Sequence, residues 1–312
     1  MITRFAEAMT TTIEVTLPAS QSARAYSDSV FGLFRAIETR MSEWRPGSPL
    51  TAVNEAAGKG GAPVPLDLLA VVEKGAEIGH MTGGAFDISW AALWGLWDFK
   101  AETPVPPPIA ERRARAKLVD YTKVSIDRER SFVSLPEAGM KIGLGGIAKG
   151  HALGEAAAYL RSRGVETFLL SAGGQVYAGG RKGDGSRWSI GVRDPRGTPD
   201  DFFAIIDVED RSLSTSGDYE SFFVHDGIRY HHILDPRTGD PARGLRSATV
   251  LADDATLADA LSTALLVMGL DAGLDLVERL PGIEALVVDD SARVYSTSGL
   301  ADAMRIVHKP AP

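Results

Sequence analysis

The chain contains no cysteine. Disulfides, thiolate metal sites, cysteine nucleophiles and a lipid-modified N-terminal cysteine are therefore excluded. No apolar run approaches the roughly 20 residues that a membrane-spanning helix needs, so no membrane anchor is expected in this chain. The opening stretch MITRFAEAMTTTIEVTLP lacks the continuous apolar segment of a secretory signal and passes directly into strand-like alternation. A cytoplasmic location is expected for the chain as given, and a periplasmic one if an export signal has been removed. Positive charge is also in short supply. The formal net charge of −8 argues against nucleic acid as the main partner. The local basic cluster ERRARAK (111–117) reads as a solvated helix face.

What is present fits a globular protein. Over 312 residues, 44% are hydrophobic and 24% charged, enough to bury a substantial core. Residues 9–17 alternate as a strand does, and residues 20–41 carry Val30, Leu33, Phe34 and Ile37 at helical spacing. Pro46, Gly47 and Pro49 mark a loop over 41–58. A second helix is expected over 66–84, ended by paired glycines, and TPVPPP (103–108) reads as a surface connection. A helix over 109–117 and a hairpin around 124–135 follow. The glycine-rich GLGGIAKG (143–150) is expected at a strand-to-helix junction, with its helix running to about Arg163. A strand over 167–174, short strands to 233, a helix over 257–269 and a strand over 283–290 complete the pattern. Helices and strands mix without strict β-α-β alternation, which predicts an α+β fold with no obvious internal boundary.

Several stretches carry chemistry. GLGGIAKG offers backbone N–H groups and Lys149 to an anion at a helix start. It is not a P-loop, because Gly150 follows Lys149 where Ser or Thr is required. Gly143, Gly145 and Ala148 do satisfy a loose G-x-G-x-x-A dinucleotide fingerprint. RYHHILDPRTGDPARG (229–244) puts His231 and His232 on opposite faces of a strand, so one of them at most faces a given site. The inward one is a candidate general base. SLSTSGDYESFF (212–223) reads as a polar turn rich in hydroxyls, and GGAFDISWAALWGLW (83–97) holds Trp90, Trp94 and Trp97, suited to a core or to a wall for a planar ring. In LADALSTALLVMG (257–269), Asp259 and Thr263 stand one helical turn apart. Either Thr263 bonds back to the Asp259 carbonyl, or the pair supplies two oxygens to a hard cation.

Taken in order, MSEWRPGSPLTAVN, GGAFDIS, LGGIAKG, TSGDYESFF, HHILDPRTGDP and LADALSTALLVMG resemble the ApbE family of FAD:protein FMN transferases over nearly the whole chain. The resemblance implies an α+β fold of mixed helix and sheet. It implies one domain over 9–308, with the flavin site between two interleaved lobes. It also implies an enzyme that cleaves FAD, moves FMN onto a Ser or Thr hydroxyl of an acceptor flavoprotein and releases AMP with the help of Mg2+. Carried over residue by residue, the metal ligands are Gly146 through its carbonyl, Asp259 and Thr263. FAD contacts fall on Met41, Ala85, Phe86, Asp87, Lys149 and Leu234. His232 matches the family's candidate base.

Three positions depart from the family pattern. Gly143 stands where Asp is usual, so an acidic FAD contact is lost, and restoring Asp there is expected to tighten FAD binding. Gln175 replaces the usual Asp or Asn, and Trp44 replaces Tyr. These departures leave open an FAD pyrophosphatase and a flavin-binding protein without turnover. The loose dinucleotide fingerprint leaves a nicotinamide dehydrogenase as the remote alternative.

Overall fold

In TTIEVTL, alternation sends Ile13, Val15 and Leu17 into the core, while Thr12 stays exposed and Glu14 half-buried. This strand belongs to an eight-stranded antiparallel sheet in the computed structural model, which describes residues 1–300 and 303–312. The strands of the sheet are β1 (Ile2–Ala8), β2 (Thr11–Leu17), β3 (Phe168–Ala172) and β4 (Gln175–Gly179). They continue with β5 (Arg211–Gly217), β6 (Leu245–Ala252), β7 (Glu284–Asp289) and β8 (Val294–Ser296). Neighbours in the sheet are also neighbours in this order, so the chain forms one meander with helices and smaller sheets inserted between its strands. That is the α+β class.

Among the described residues seven α-helices accompany it: α1 (Ala23–Met41), α2 (Pro49–Glu55), α3 (Leu66–Met81), α4 (Ile109–Ala116), α5 (Ala148–Ser162), α6 (Ala255–Met268) and α7 (Leu270–Glu278). α6 lies on β5 and β6, α5 packs on α6 and β4, and α1 packs on α5. On the opposite face, Leu213, Leu251 and Leu286 meet Trp188, Phe203 and Ile206 of a three-stranded sheet. Covered on both faces, β6 is buried along its whole length. The main hydrophobic cluster takes residues from Ala8 to Val287, so the segments around the site are interleaved in one core.

The α5–α6 approach depends on Gly150. A Cβ there would stand 2.2 Å from the Ala255 carbonyl oxygen and 2.7 Å from Asp259 Cβ. Any larger residue would push the two helices apart. α6 begins at Ala255, ahead of the expected start, because the Asp254 side chain accepts hydrogen bonds from the Thr256 and Leu257 amides. It ends at Gly269, whose φ of 81° suits glycine.

The structure differs from the sequence pattern in four places. β1 precedes the expected strand, and Met9 and Thr10 form the tight turn to β2 with φ of 52° and 60°. The folded unit also passes both ends of the 9–308 range: β1 opens the sheet, and Ala311 is held by Arg246 and Asp194. α3 stops at Met81, because the positive φ of Gly83 and Gly84 turns the chain. No strand precedes GLGGIAKG; Lys141 makes an isolated bridge to Trp90. The G-x-G-x-x-A match therefore lies outside any β-α-β unit, and the dehydrogenase reading loses its structural context. No helix among the described residues is long and apolar enough to cross a membrane.

Candidate active site

A cavity of about 330 Å³ opens where distant stretches meet: the loop after α1, residues 85–90, the glycine turn at the start of α5, β5, residues 232–236 and α6. Gly146, Asp259 and Thr263 all line it. Asp259 is 5% exposed, and its Oδ2 accepts a 2.8 Å hydrogen bond from the Gly150 amide. Burial raises its pKa, opposed by the Lys149 charge and the Gly150 N–H. Gly146 lies beside Phe86 and Thr263, since a Cβ on Gly146 would stand 3.3 Å from the Phe86 ring and 3.5 Å from Thr263 Oγ1.

The hydroxyl that bonds back to the Asp259 carbonyl belongs to Ser262, at 2.8 Å. Thr263 Oγ1 instead lies 3.2 Å from Ser216 Oγ, and Ser216 is 2.8 Å from Ser262. Ser216 was legible only as part of a polar turn; it lies on β5, whose hydroxyls face α6. Thr263 is thus free of the local bond that would have explained it, and it lines the cavity together with Asp259.

These residues suit a hard divalent cation. A nearly buried carboxylate held by one amide has oxygen capacity to spare, and Thr263 and the Gly146 carbonyl add neutral oxygens. Among the described residues no group of three His, Asp or Glu side chains gathers, so charge balance at such a site leaves room for phosphate oxygens.

Lys149, in the first turn of α5, also lines the cavity and donates to the Gly145 carbonyl at 3.0 Å. The turn brings a cation and the positive end of the α5 dipole to the same wall.

His231 ends the strand Ile228–His231 and His232 follows it, and the two side chains point to different surroundings as expected. His231 is buried, 3% exposed, with Nε2 2.8 Å from the Ala242 carbonyl oxygen. His232 borders the cavity and is exposed to it, and its amide donates to Ser221 O at 3.0 Å. Surrounding protein pushes its pKa down to about 4, chiefly by desolvation and next through the His231 ring. The side open to the cavity works against the full extent of that shift, while its direction follows from both neighbours. The imidazole is therefore neutral at neutral pH.

The remaining expected contacts are placed unequally. Ala85, Phe86 and Leu234 line the cavity. Asp87 does too, but its carboxylate is engaged internally, with Oδ1 accepting from the Ser89 amide and hydroxyl and Oδ2 from the Tyr121 amide. Met41 is misplaced by the sequence reading. It is 2% exposed in the core and borders only a smaller cavity of about 110 Å³ beside the main one, because it closes the apolar face of α1. Met9 and Thr10, at the β1–β2 turn, border that smaller cavity as well. Gln175 spends its amide N–H on the Ala255 carbonyl at 2.8 Å. Trp44, half exposed, meets Trp94 edge-on at 4.3 Å between ring centroids. At Gly143, a Cβ would stand 2.9 Å from both Trp90 Nε1 and Ala91 Cβ, and Trp90 Nε1 donates to the Gly143 carbonyl at 2.9 Å. Trp90 has taken the space beside Gly143, and no signal in the sequence marked that pairing.

Comparison with known proteins agrees with this arrangement. The model of the ApbE family matches residues 9–287. An FAD:protein FMN transferase of Treponema pallidum is 34% identical over 307 residues, 93% of this chain and 84% of that protein. One from Vibrio cholerae is 30% identical over 286 residues, 90% of this chain and 85% of that protein. The crystal structure of the ApbE protein of Thermotoga maritima superposes with a TM-score of 0.88 at 34% identity, covering 97% of this chain and 99% of that one. The flavin transferase ApbE of Vibrio cholerae gives 0.85 at 28% identity, covering 97% and 98%. By its sequence over nearly its whole length, and by its fold, this chain belongs to the ApbE family.

Proposed function

We propose that the protein is a magnesium-dependent FAD:protein FMN transferase, moving FMN from FAD to a Ser or Thr hydroxyl of an acceptor flavoprotein and releasing AMP. The observation that carries this reading is the meeting of Gly146, Lys149, Asp259 and Thr263 with His232 around one cavity. Lys149, beside the glycine turn, receives the pyrophosphate. Asp259, Thr263 and the Gly146 carbonyl would hold Mg2+, which supplies charge neutralisation as the bond to the leaving phosphate breaks. Phe86, Leu234, Trp44 and Trp90 offer apolar surface to the planar rings.

A hydroxyl is a weak nucleophile, so neutral His232 takes its proton as the oxygen attacks the phosphorus of the FMN half. A new P–O bond forms to the acceptor, and the P–O bond to AMP breaks. Water in place of the acceptor gives FMN and AMP; the open side of His232 favours this second outcome when no acceptor is seated. Incubation with FAD, Mg2+ and a candidate acceptor tests the reading. Covalent flavin on the acceptor supports transfer, and free FMN with AMP indicates hydrolysis. Unchanged FAD despite tight binding would reject turnover.

A further inference from the structure

Glu43 lies in the loop after α1 and borders both the main cavity and the smaller one. It is 8% exposed, and its Oε1 is sealed from solvent with no hydrogen-bond partner among the described residues. Burial raises its pKa. Its own amide, those of Leu144 and Gly145, and the Lys149 charge lie near enough to favour the anion, but none forms a hydrogen bond to Oε1. A buried carboxylate oxygen without a donor is costly, and such an atom needs a specific reason to be there. The cavities it borders supply one.

The chemistry of the missing partner is constrained. A phosphate oxygen would be repelled by a carboxylate. A cation would meet the Lys149 charge, which already acts on this carboxylate. A hydroxyl or amino group satisfies the oxygen directly. We propose that Glu43 is a substrate-binding residue that accepts a hydrogen bond from a hydroxyl or amino group of the dinucleotide. This rests on FAD being the substrate.

The assignment also accounts for Gly143. With the Trp90 indole beside it, position 143 holds no acidic side chain without displacing that ring. Glu43 reaches the same glycine turn from the other side, its Oε1 3.4 Å from where a Cβ on Gly145 would stand. The chain thus carries a carboxylate at this turn from a different segment.

The test is binding of FAD and of FMN, followed by flavin fluorescence, to wild type, Glu43→Ala and Glu43→Gln, with thermal melting and a magnesium titration of turnover alongside. Glu43→Ala should weaken FAD binding about 10-fold to 100-fold, the loss expected for a hydrogen bond to a charged group. Glu43→Gln, which keeps a weaker acceptor and the same shape, should lose less and carries the test if the alanine variant does not fold. Melting temperature and magnesium requirement should stay near wild type. If FMN binding falls in parallel, the donor is on the ribityl chain; if FMN is spared, it is on the AMP half. Unchanged FAD affinity in folded variants overturns the assignment. So does a loss accompanied by a raised magnesium requirement, because that marks a loosened glycine turn. Failure of the wild type itself to bind FAD overturns the functional reading, and this inference with it.

Discussion

The Gly150 amide donates to Asp259 Oδ2 at 2.8 Å, so a residue that lines the cavity also ties α6 to α5. Asparagine at 259 keeps an acceptor for that amide but loses the charge. Asp259→Asn should therefore fold with a melting temperature near that of wild type yet need much more Mg2+ for turnover. Thr263→Val should show a milder form of the same defect. An Asp259→Asn variant that melts far below wild type while its folded fraction keeps a normal magnesium requirement would make the residue structural.

The two histidines should fail in different ways. His232→Ala should retain FAD binding and lose turnover by roughly 10²–10⁴-fold, the range for general-base catalysis. His231→Ala leaves the buried Ala242 carbonyl without its partner and should cost about 1–3 kcal/mol of stability with much less effect on the chemical step. Single-turnover kinetics and denaturant melts on both variants separate the effects; equal losses of turnover in equally stable variants contradict the assignment.

The His232 pKa also sets an expectation for pH. As a base it must be neutral, and a pKa near 4 keeps it so through the neutral range. Turnover limited by His232 should stay level from about pH 8 to about pH 6 and fall only as the pH drops toward that lowered value, rather than near the ordinary histidine value of about 6.5. For stability the sign is the same. The unfolded chain takes up the proton first, so this group costs stability progressively between about pH 6.5 and the lowered pKa, and none above that window. A pH–rate profile with its acid limb at about 6.5, absent from His232→Ala, contradicts this.

Gly143 gives the opposite of the expectation from family pattern alone. Its φ lies outside the left-handed region, so backbone strain is not the obstacle. The Trp90 indole is. Gly143→Asp should lower stability by about 1–3 kcal/mol through overpacking and should not tighten FAD binding. Adding Trp90→Val should recover much of the lost stability. Denaturant melts of the two single variants and the double variant test this; additive losses would show that the two side chains do not compete for the same space.

The sequence by itself determined the elements that depend on neighbours along the chain. Val30, Phe34 and Ile37 specify the buried face of α1, and Gly269 ends α6, because periodicity and caps are local, although the Asp254 cap set the start of α6 earlier than the apolar pattern indicated. The division of His231 from His232 was also expected from strand alternation, and it holds although the strand ends at His231 and His232 lies just beyond it. Ordered motifs were enough to identify the family. Tertiary structure decided what depends on distant partners. The Ser216–Thr263 contact joins β5 to α6, and Trp90 fills the space beside Gly143. Met41 turns into the core although its motif neighbours Glu43 and Trp44 reach the cavity. Glu43 acquires its role only when the loop after α1 folds over the glycine turn, because burial, and the cost of an unpaired carboxylate, exist only once the chain has closed around it.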